Sequence, residues 1–174
     1  MDVKPLLFLL LALAAPVPLR AEKVVAAGAV AGRLAATEDG RVKATVLVFL
    51  AHDCPISNAL APELNRLAEK YGAQGAAFFF VYAERDLADG DAARRARDFA
   101  LAATVTVDRA GALAARAGAG GCRGRINDLF AAPGQKRAEP TRHDLRDALD
   151  AVLAGQAPPT ATTPAIGCFI ATKP

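Results

Sequence analysis

One cysteine in this chain occupies a position where a thiol could do chemistry. Cys54 stands between the apolar run at 42–50 and an amphipathic stretch at 57–71. If that stretch is a helix, its free N–H groups and the positive end of its dipole point at the sulfur. Both favour the thiolate, which is the nucleophilic form of cysteine. The position therefore predicts a reactive thiol, and the alternative is a small buried hydrophobic residue.

The residues after Cys54 are typical of a helix that begins there. Pro55 suits the first turn, because its missing N–H would have had no partner in any case. Ser57 is predicted to be a helix-cap hydroxyl, with a hydrogen bond to the thiolate as the alternative. Pro62 lies inside the stretch, where it removes a hydrogen bond at a cost of ~3 kcal/mol or more. A bend in the helix is expected at that point.

The other two cysteines leave several interpretations open. Cys168 lies in the Pro/Thr-rich tail at 156–174, which is predicted to be extended. It could be a resolving thiol for Cys54, a structural staple, or a thiol that meets nothing in this chain. Cys122 follows a glycine-rich break and is interpreted as incidental, with a role as a partner for another thiol as the alternative.

No cofactor and no metal are predicted. His52, His143 and Cys54 together could suggest a copper site, but they are spread along the sequence and His143 falls in a capping box at 141–144. The acidic run at 86–91 is predicted to be a turn and a helix N-cap rather than a calcium loop. His52 could support a thiolate if protonated, whereas Asp53 would oppose it.

The first residues predict export. Lys4 precedes an apolar run at 6–15 that is too short to span a bilayer, and Ala21 offers a small residue for cleavage. We expect residues 1–21 to be a signal peptide and the protein to be periplasmic or secreted, without stable membrane insertion. The alternative is a retained membrane anchor. Outside a reducing cytosol, cysteines can persist as disulfides.

Length and charge limit the remaining classes. A chain of 174 residues suits one domain, placed at 22–155. The net charge of +3 is not gathered into a basic stripe and no aromatic platform accompanies it, so no nucleic-acid partner is predicted.

The elements that must position Cys54 alternate between strands and helices. We predict strands at 42–50, 76–82 and 103–108, the first two buried on both faces, and an edge strand at 122–128. Helices are predicted at 57–71, 92–101, 110–117 and 141–155, and residues 22–41 are expected to be a loose lead-in. This order predicts an α/β domain with a largely parallel central sheet flanked by helices. In such sheets, functional groups gather at the carboxyl ends of the strands, where Cys54 lies.

These residues carry a resemblance to the thioredoxin-like superfamily. The matching positions are Cys54, Ser57, Ala61, Pro62 and the run "LAEKY" at 67–71. More narrowly, "DCPISN", "RGRIND" and "AIGC" resemble an exported bacterial redoxin group related to the AhpC/TSA peroxiredoxins. The resemblance implies a thiol-based oxidoreductase whose Cys54 thiolate exchanges with a protein disulfide or thiol partner, or reduces a small oxidant.

The sequence departs from that family in three places. Ser57 stands where a two-cysteine thioredoxin has its second thiol, so no disulfide can close within the motif. Ala51 stands where peroxiredoxins carry a peroxide-orienting hydroxyl. The threonine and cis-proline segment that faces the active cysteine is missing before residue 122. The alternative function is therefore a catalytically impaired binding module with the same fold.

Overall fold

A computed structural model describes residues 24–35, 42–118 and 122–168. The predicted signal peptide at 1–21 and the last six residues of the tail lie outside the described residues. The elements, in chain order, are β1 (Val24–Ala26), α1 (Ala27–Ala35), β2 (Ala44–Leu50), α2 (Pro55–Gly72), β3 (Ala76–Tyr82), α3 (Asp89–Asp98), β4 (Thr104–Val107), α4 (Ala112–Gly118), β5 (Phe130–Ala132), β6 (Gln135–Lys136) and α5 (Asp144–Leu153).

The central sheet has four strands in the order β1-β4-β3-β2, and every neighbouring pair is parallel. The pairing of β2 with β3 runs from Ala44 opposite Ala76 to Leu50 opposite Tyr82. This confirms the predicted α/β class with a parallel sheet flanked by helices. The short strands β5 and β6 form a separate antiparallel hairpin, which the sequence did not predict.

Side chains alternate between the two faces of the sheet, as strand geometry requires. On β3, Phe80 faces the larger apolar cluster, which it shares with residues of α2, α3 and α5 such as Leu64 and Leu149. Its neighbours Phe79 and Val81 face the smaller cluster beneath α1 and α4. Helices therefore cover both faces of β3, which explains its almost continuously apolar sequence.

The expectation of a loose lead-in at 22–41 is wrong for the part that the structure describes. β1 pairs with β4, and the Thr106 hydroxyl donates to the carbonyl of Val25 at 2.7 Å. Val30 on α1 is fully buried against Phe79 and Leu113. The pattern was hard to detect because alanine and glycine fill most of this segment, and because the pairing partner of β1 lies about 80 residues away.

The predicted edge strand at 122–128 is also wrong. That segment makes only an isolated bridge, between Arg123 and Thr162, and joins no described strand of the central sheet. As a result β2 forms one edge of the sheet. Its first four residues and Phe49 are only half-buried, although the sequence predicted burial on both faces.

Two helix starts differ from the predicted caps. Ala88, not an aspartate of the acidic run, is the N-cap of α3, and the capping box at 141–144 does not form. His143 is the N-cap of α5 and makes no side-chain cap bond, while the Thr141 hydroxyl donates to Asp128 instead. Among the described helices, none has both the length and the apolar character needed to cross a bilayer.

Candidate functional site

Cys54 occupies the junction between β2 and α2 that the sequence predicts. It is the N-cap residue of α2, with extended backbone angles (φ −78°, ψ 115°), and Pro55 follows in the first turn. The N–H of Asn58 donates to the Cys54 carbonyl at 3.0 Å, which closes the first turn of the helix. The cysteine therefore lies at the positive end of the α2 dipole.

Cys54 is bonded to the tail. Its sulfur forms a disulfide with Cys168, 114 residues later in the chain, and the two Cα atoms are 5.9 Å apart. The interpretation in which Cys168 meets no thiol of this chain is therefore wrong. Cys54 is 1% exposed and belongs to the larger apolar cluster, so its surroundings are those of the predicted alternative, a small buried hydrophobic residue. Cys168, in contrast, is exposed.

Pro55 and Ser57, both in the first turn of α2, differ in their exposure to solvent. Pro55 is exposed on the first turn. The half-buried Ser57 hydroxyl accepts a long hydrogen bond, 3.5 Å, from the N–H of Ala51 at the end of β2. Cys54 is the N-cap residue of α2, and no side-chain cap bond forms there. The prediction that Ser57 is a helix-cap hydroxyl is therefore wrong. Ser57 instead ties the first turn of α2 back to the strand.

Sequence reasoning missed Glu84, which fixes the segment before Cys54. Its carboxylate accepts hydrogen bonds from the Nδ1 of His52 at 2.8 Å and from the His52 backbone N–H at 3.1 Å. The Nε of Arg95, on α3, donates to the His52 carbonyl at 2.6 Å and holds the same segment from the other side. The available signal was topological: Glu84 follows β3, and parallel strands end at the same edge of a sheet.

The group around His52 also offers potential metal ligands. His52, Asp53 and Glu84 each present a ligand atom within 4.8 Å of the others, and no other such group of three occurs among the described residues. The bond from His52 Nδ1 to Glu84 already joins two of the three. The structure does not bring together the three residues of the suggested copper site. Cys54 and His143 lie outside this group, and the Cys54 sulfur is in a disulfide.

A second polar cluster holds the "RIND" turn against the start of α5. Buried Asp128 accepts hydrogen bonds from the hydroxyl and N–H of Thr141, at 2.6 and 2.7 Å, and from the N–H of Arg142 at 2.8 Å. The Thr141 hydroxyl and these backbone donors hold the pKa of the Asp128 carboxyl well below its usual range. Arg125 pairs with Asp144 at 2.7 Å beside it. This cluster is structural.

Cys122 is an exposed free thiol. Its sulfur lies 3.3 Å from the carbonyl of Thr160, to which it can donate only weakly. The geometry leaves the disulfide between Cys54 and Cys168 as the part of the described chain best suited to redox chemistry.

Two solved structures are similar to this chain. One is an uncharacterized conserved protein from Geobacillus kaustophilus, 25% identical, with a TM-score of 0.63 over 79% of this chain and 82% of the other. The second is a hypothetical protein from Sinorhizobium meliloti 1021, 24% identical, with a TM-score of 0.62 over the same shares. Both support the α/β fold. No protein-family model and no curated protein matches the chain.

Proposed function

We propose that this chain is an exported thiol–disulfide oxidoreductase of the thioredoxin-like kind, in which Cys54 and Cys168 form the redox pair. One observation carries the proposal: the disulfide joins the N-cap cysteine of α2 to an exposed cysteine of the tail. Ser57 cannot close a disulfide within the helix, so Cys168 takes the part of the second thiol. The oxidising compartment expected from residues 1–21 would allow the disulfide to persist.

The different exposure of the two cysteines determines which one a partner attacks first. Because Cys54 is 1% exposed and Cys168 is exposed, a thiolate from a partner reaches the Cys168 sulfur. The new bond to Cys168 forms as the bond between Cys54 and Cys168 breaks, and Cys54 leaves as a thiolate. The positive end of the α2 dipole favours that thiolate and opposes the cost of charging a buried sulfur.

The second half of the exchange releases the partner. A second thiolate of the partner attacks the partner's own sulfur in the mixed disulfide, and Cys168 leaves as a thiolate. The partner ends with one disulfide and the chain ends with two thiols, so two electrons have moved to the chain. The same steps in reverse would reduce a disulfide of the partner.

A redox titration tests the proposal against a structural staple. Structural disulfides resist reduction by glutathione, with potentials below about −300 mV. We expect the pair of Cys54 and Cys168 to equilibrate in glutathione buffers with a potential above that limit. A pair that stays oxidised throughout would overturn the redox function and leave a staple.

A turnover assay tests it against the inert binding module. We expect the wild-type chain to catalyse reduction of the insulin disulfides by dithiothreitol, and the Cys54→Ser variant to lose that catalysis. Cys122→Ser is the matched control and should retain the wild-type rate. Equal rates for the wild-type chain and Cys54→Ser would favour the binding module.

A further inference from the structure

The free edge of β2 is unusual for an edge strand. β2 pairs with β3, and no other described strand pairs with its second edge. Its sequence, "ATVLVFL", has no charge and no proline across seven residues. Edge strands usually carry charges, prolines or bulges that prevent pairing with another chain. This strand has the sequence of a central strand, which favours the pairing of its second edge with another strand.

A groove runs along this edge, and we call it the β2 groove. It is bounded on one side by residues of α1 and α4, including Arg116, and on the other by residues of α5 such as Leu149 and Val152. Its volume is about 1230 Å³. Small-molecule sites usually measure about 300–1,000 Å³, so both the size and the strand at its base favour a longer, peptide-like occupant.

A third wall of the β2 groove includes residues 122–126, Pro159, Thr160 and Thr163, and backbone hydrogen bonds join its two segments. The N–H of Arg123 donates to Ala161 at 3.0 Å, and the N–H of Thr163 donates back to Arg123 at 3.1 Å. Gly124 is so close to Thr163 that an added Cβ would lie 1.9 Å from its hydroxyl oxygen. A groove with walls on several sides has room for one extended segment. The edge strand of a second folded domain could not reach β2, because the walls would clash with the rest of that domain.

The charged side chains on the walls that form no ion pair within the described residues are all arginines. The acids are neutralised locally: Asp144 pairs with Arg125 at 2.7 Å, and Asp147 with Arg146 at 3.5 Å. Arg116 and Arg123 are exposed and form no ion pair within the described residues. The complementary occupant therefore has apolar side chains and acidic residues that can pair with the two arginines.

We propose that the β2 groove binds an extended segment of a partner protein, which adds to β2 as a fifth strand and carries acidic residues. Backbone hydrogen bonds to β2 supply the affinity, and alternate apolar side chains and the two arginines supply the selectivity. The proposal does not depend on the redox function.

A synthetic peptide tests the proposal on the full chain. The probe is a fluorescent nine-residue peptide in which valine alternates with threonine and both ends are glutamate. We expect saturable binding by fluorescence anisotropy, together with slower hydrogen exchange at residues 44–50. A control peptide with the same side chains, but with N-methyl groups on alternate backbone nitrogens, cannot pair on that edge and should bind at least about tenfold more weakly.

Surface variants test the charge assignment without disturbing the core. The double substitution Arg116→Glu and Arg123→Glu should weaken binding of the probe by about fivefold, the effect of two exposed ion pairs. Arg97→Glu, on α3 away from the groove, is the matched control and should leave the affinity unchanged.

Three results would overturn the proposal. The first is no binding of the probe, and the second is equal binding of the N-methylated control, which would indicate general apolar adsorption. The third is a concentration-dependent dimer of the chain alone in sedimentation that Val46→Lys abolishes, because this would assign the β2 edge to a second copy.

Discussion

Two cysteines with unlike surroundings define the chemistry proposed for this chain. Cys54 is buried at the positive end of the α2 dipole, and Cys168 is exposed in the tail. In the proposed exchange Cys54 is therefore the leaving group, and Cys168 is the residue that a partner reaches.

The disulfide should also stabilise the fold, because it constrains the unfolded chain across 114 residues. We expect Cys168→Ser to lower the free energy of unfolding by about 2–4 kcal/mol relative to the oxidised wild type. Guanidinium denaturation under non-reducing conditions measures the difference. Cys122→Ser, at the exposed free thiol, is the control and should change little. Equal midpoints for Cys168→Ser and the oxidised wild type would contradict the prediction.

At the scale of elements, α2 connects the site to the core. It runs unbroken from Pro55 to Gly72 although Pro62 lies in its interior. One face packs into the larger apolar cluster through Leu60, Leu64 and Tyr71, and this burial offsets the hydrogen bond that Pro62 removes.

The two prolines of α2 should therefore differ in their effect on stability. Pro62→Ala restores an N–H to an exposed position inside the helix, so we expect the free energy of unfolding to rise by about 1–3 kcal/mol. Pro55→Ala is the matched control at the first helical position, where the missing N–H costs nothing, and should change little. Thermal or chemical denaturation measures both, and similar effects at the two positions would refute the reasoning.

A substitution in α1 tests whether this helix packs on the folded domain. Val30 is fully buried against Phe79 and Val81, so Val30→Ala leaves a cavity. We expect a loss of about 1–3 kcal/mol in the free energy of unfolding. Arg33→Ala, on the exposed side of the same helix, should have little effect. A Val30→Ala variant as stable as the wild type would mean that α1 is not docked in solution.

At the scale of the whole molecule, the central sheet is asymmetric. β3 is covered by helices on both faces, whereas the first part of β2 is half-buried and borders the β2 groove. The disulfide ties the tail beside this groove, so the candidate redox site and the candidate docking site are neighbours.

The packing of the core can be measured by titrating its tyrosines, because the chain has only two. Burial raises the pKa of Tyr82 to about 12, and burial together with a hydrogen bond to Asp150 raises the pKa of Tyr71. The unfolded chain ionises first, so the stability that these groups contribute is complete below pH ~10 and is lost as the pH rises towards 12.

Absorbance at 295 nm follows this ionisation. We expect the native chain to form phenolate at higher pH than the same chain in guanidinium, and Tyr82→Phe to remove the part that titrates near pH 12. If native and denatured chains titrate together near pH 10, the two rings are not buried.

The elements with strong local patterns can be predicted from the sequence without the fold. β3 was predicted with its observed bounds, and β2, α2 and the place of Cys54 between them followed from apolar runs, helical spacing and Pro55. Such signals depend on neighbouring residues, and so they can be detected without knowledge of the fold. β1 and α1 escaped detection because small residues blur their periodicity.

Contacts between residues far apart in the sequence depend on how the elements pack in three dimensions. The bond from Cys54 to Cys168, the contact of His52 with Glu84 and the position of β2 at an edge all depend on how elements far apart in sequence are arranged. No local pattern encodes these contacts, because they follow from strand order and from the burial shared by several elements at once. The identity of a reactive residue is a local property, but its partner and its accessibility are properties of the fold.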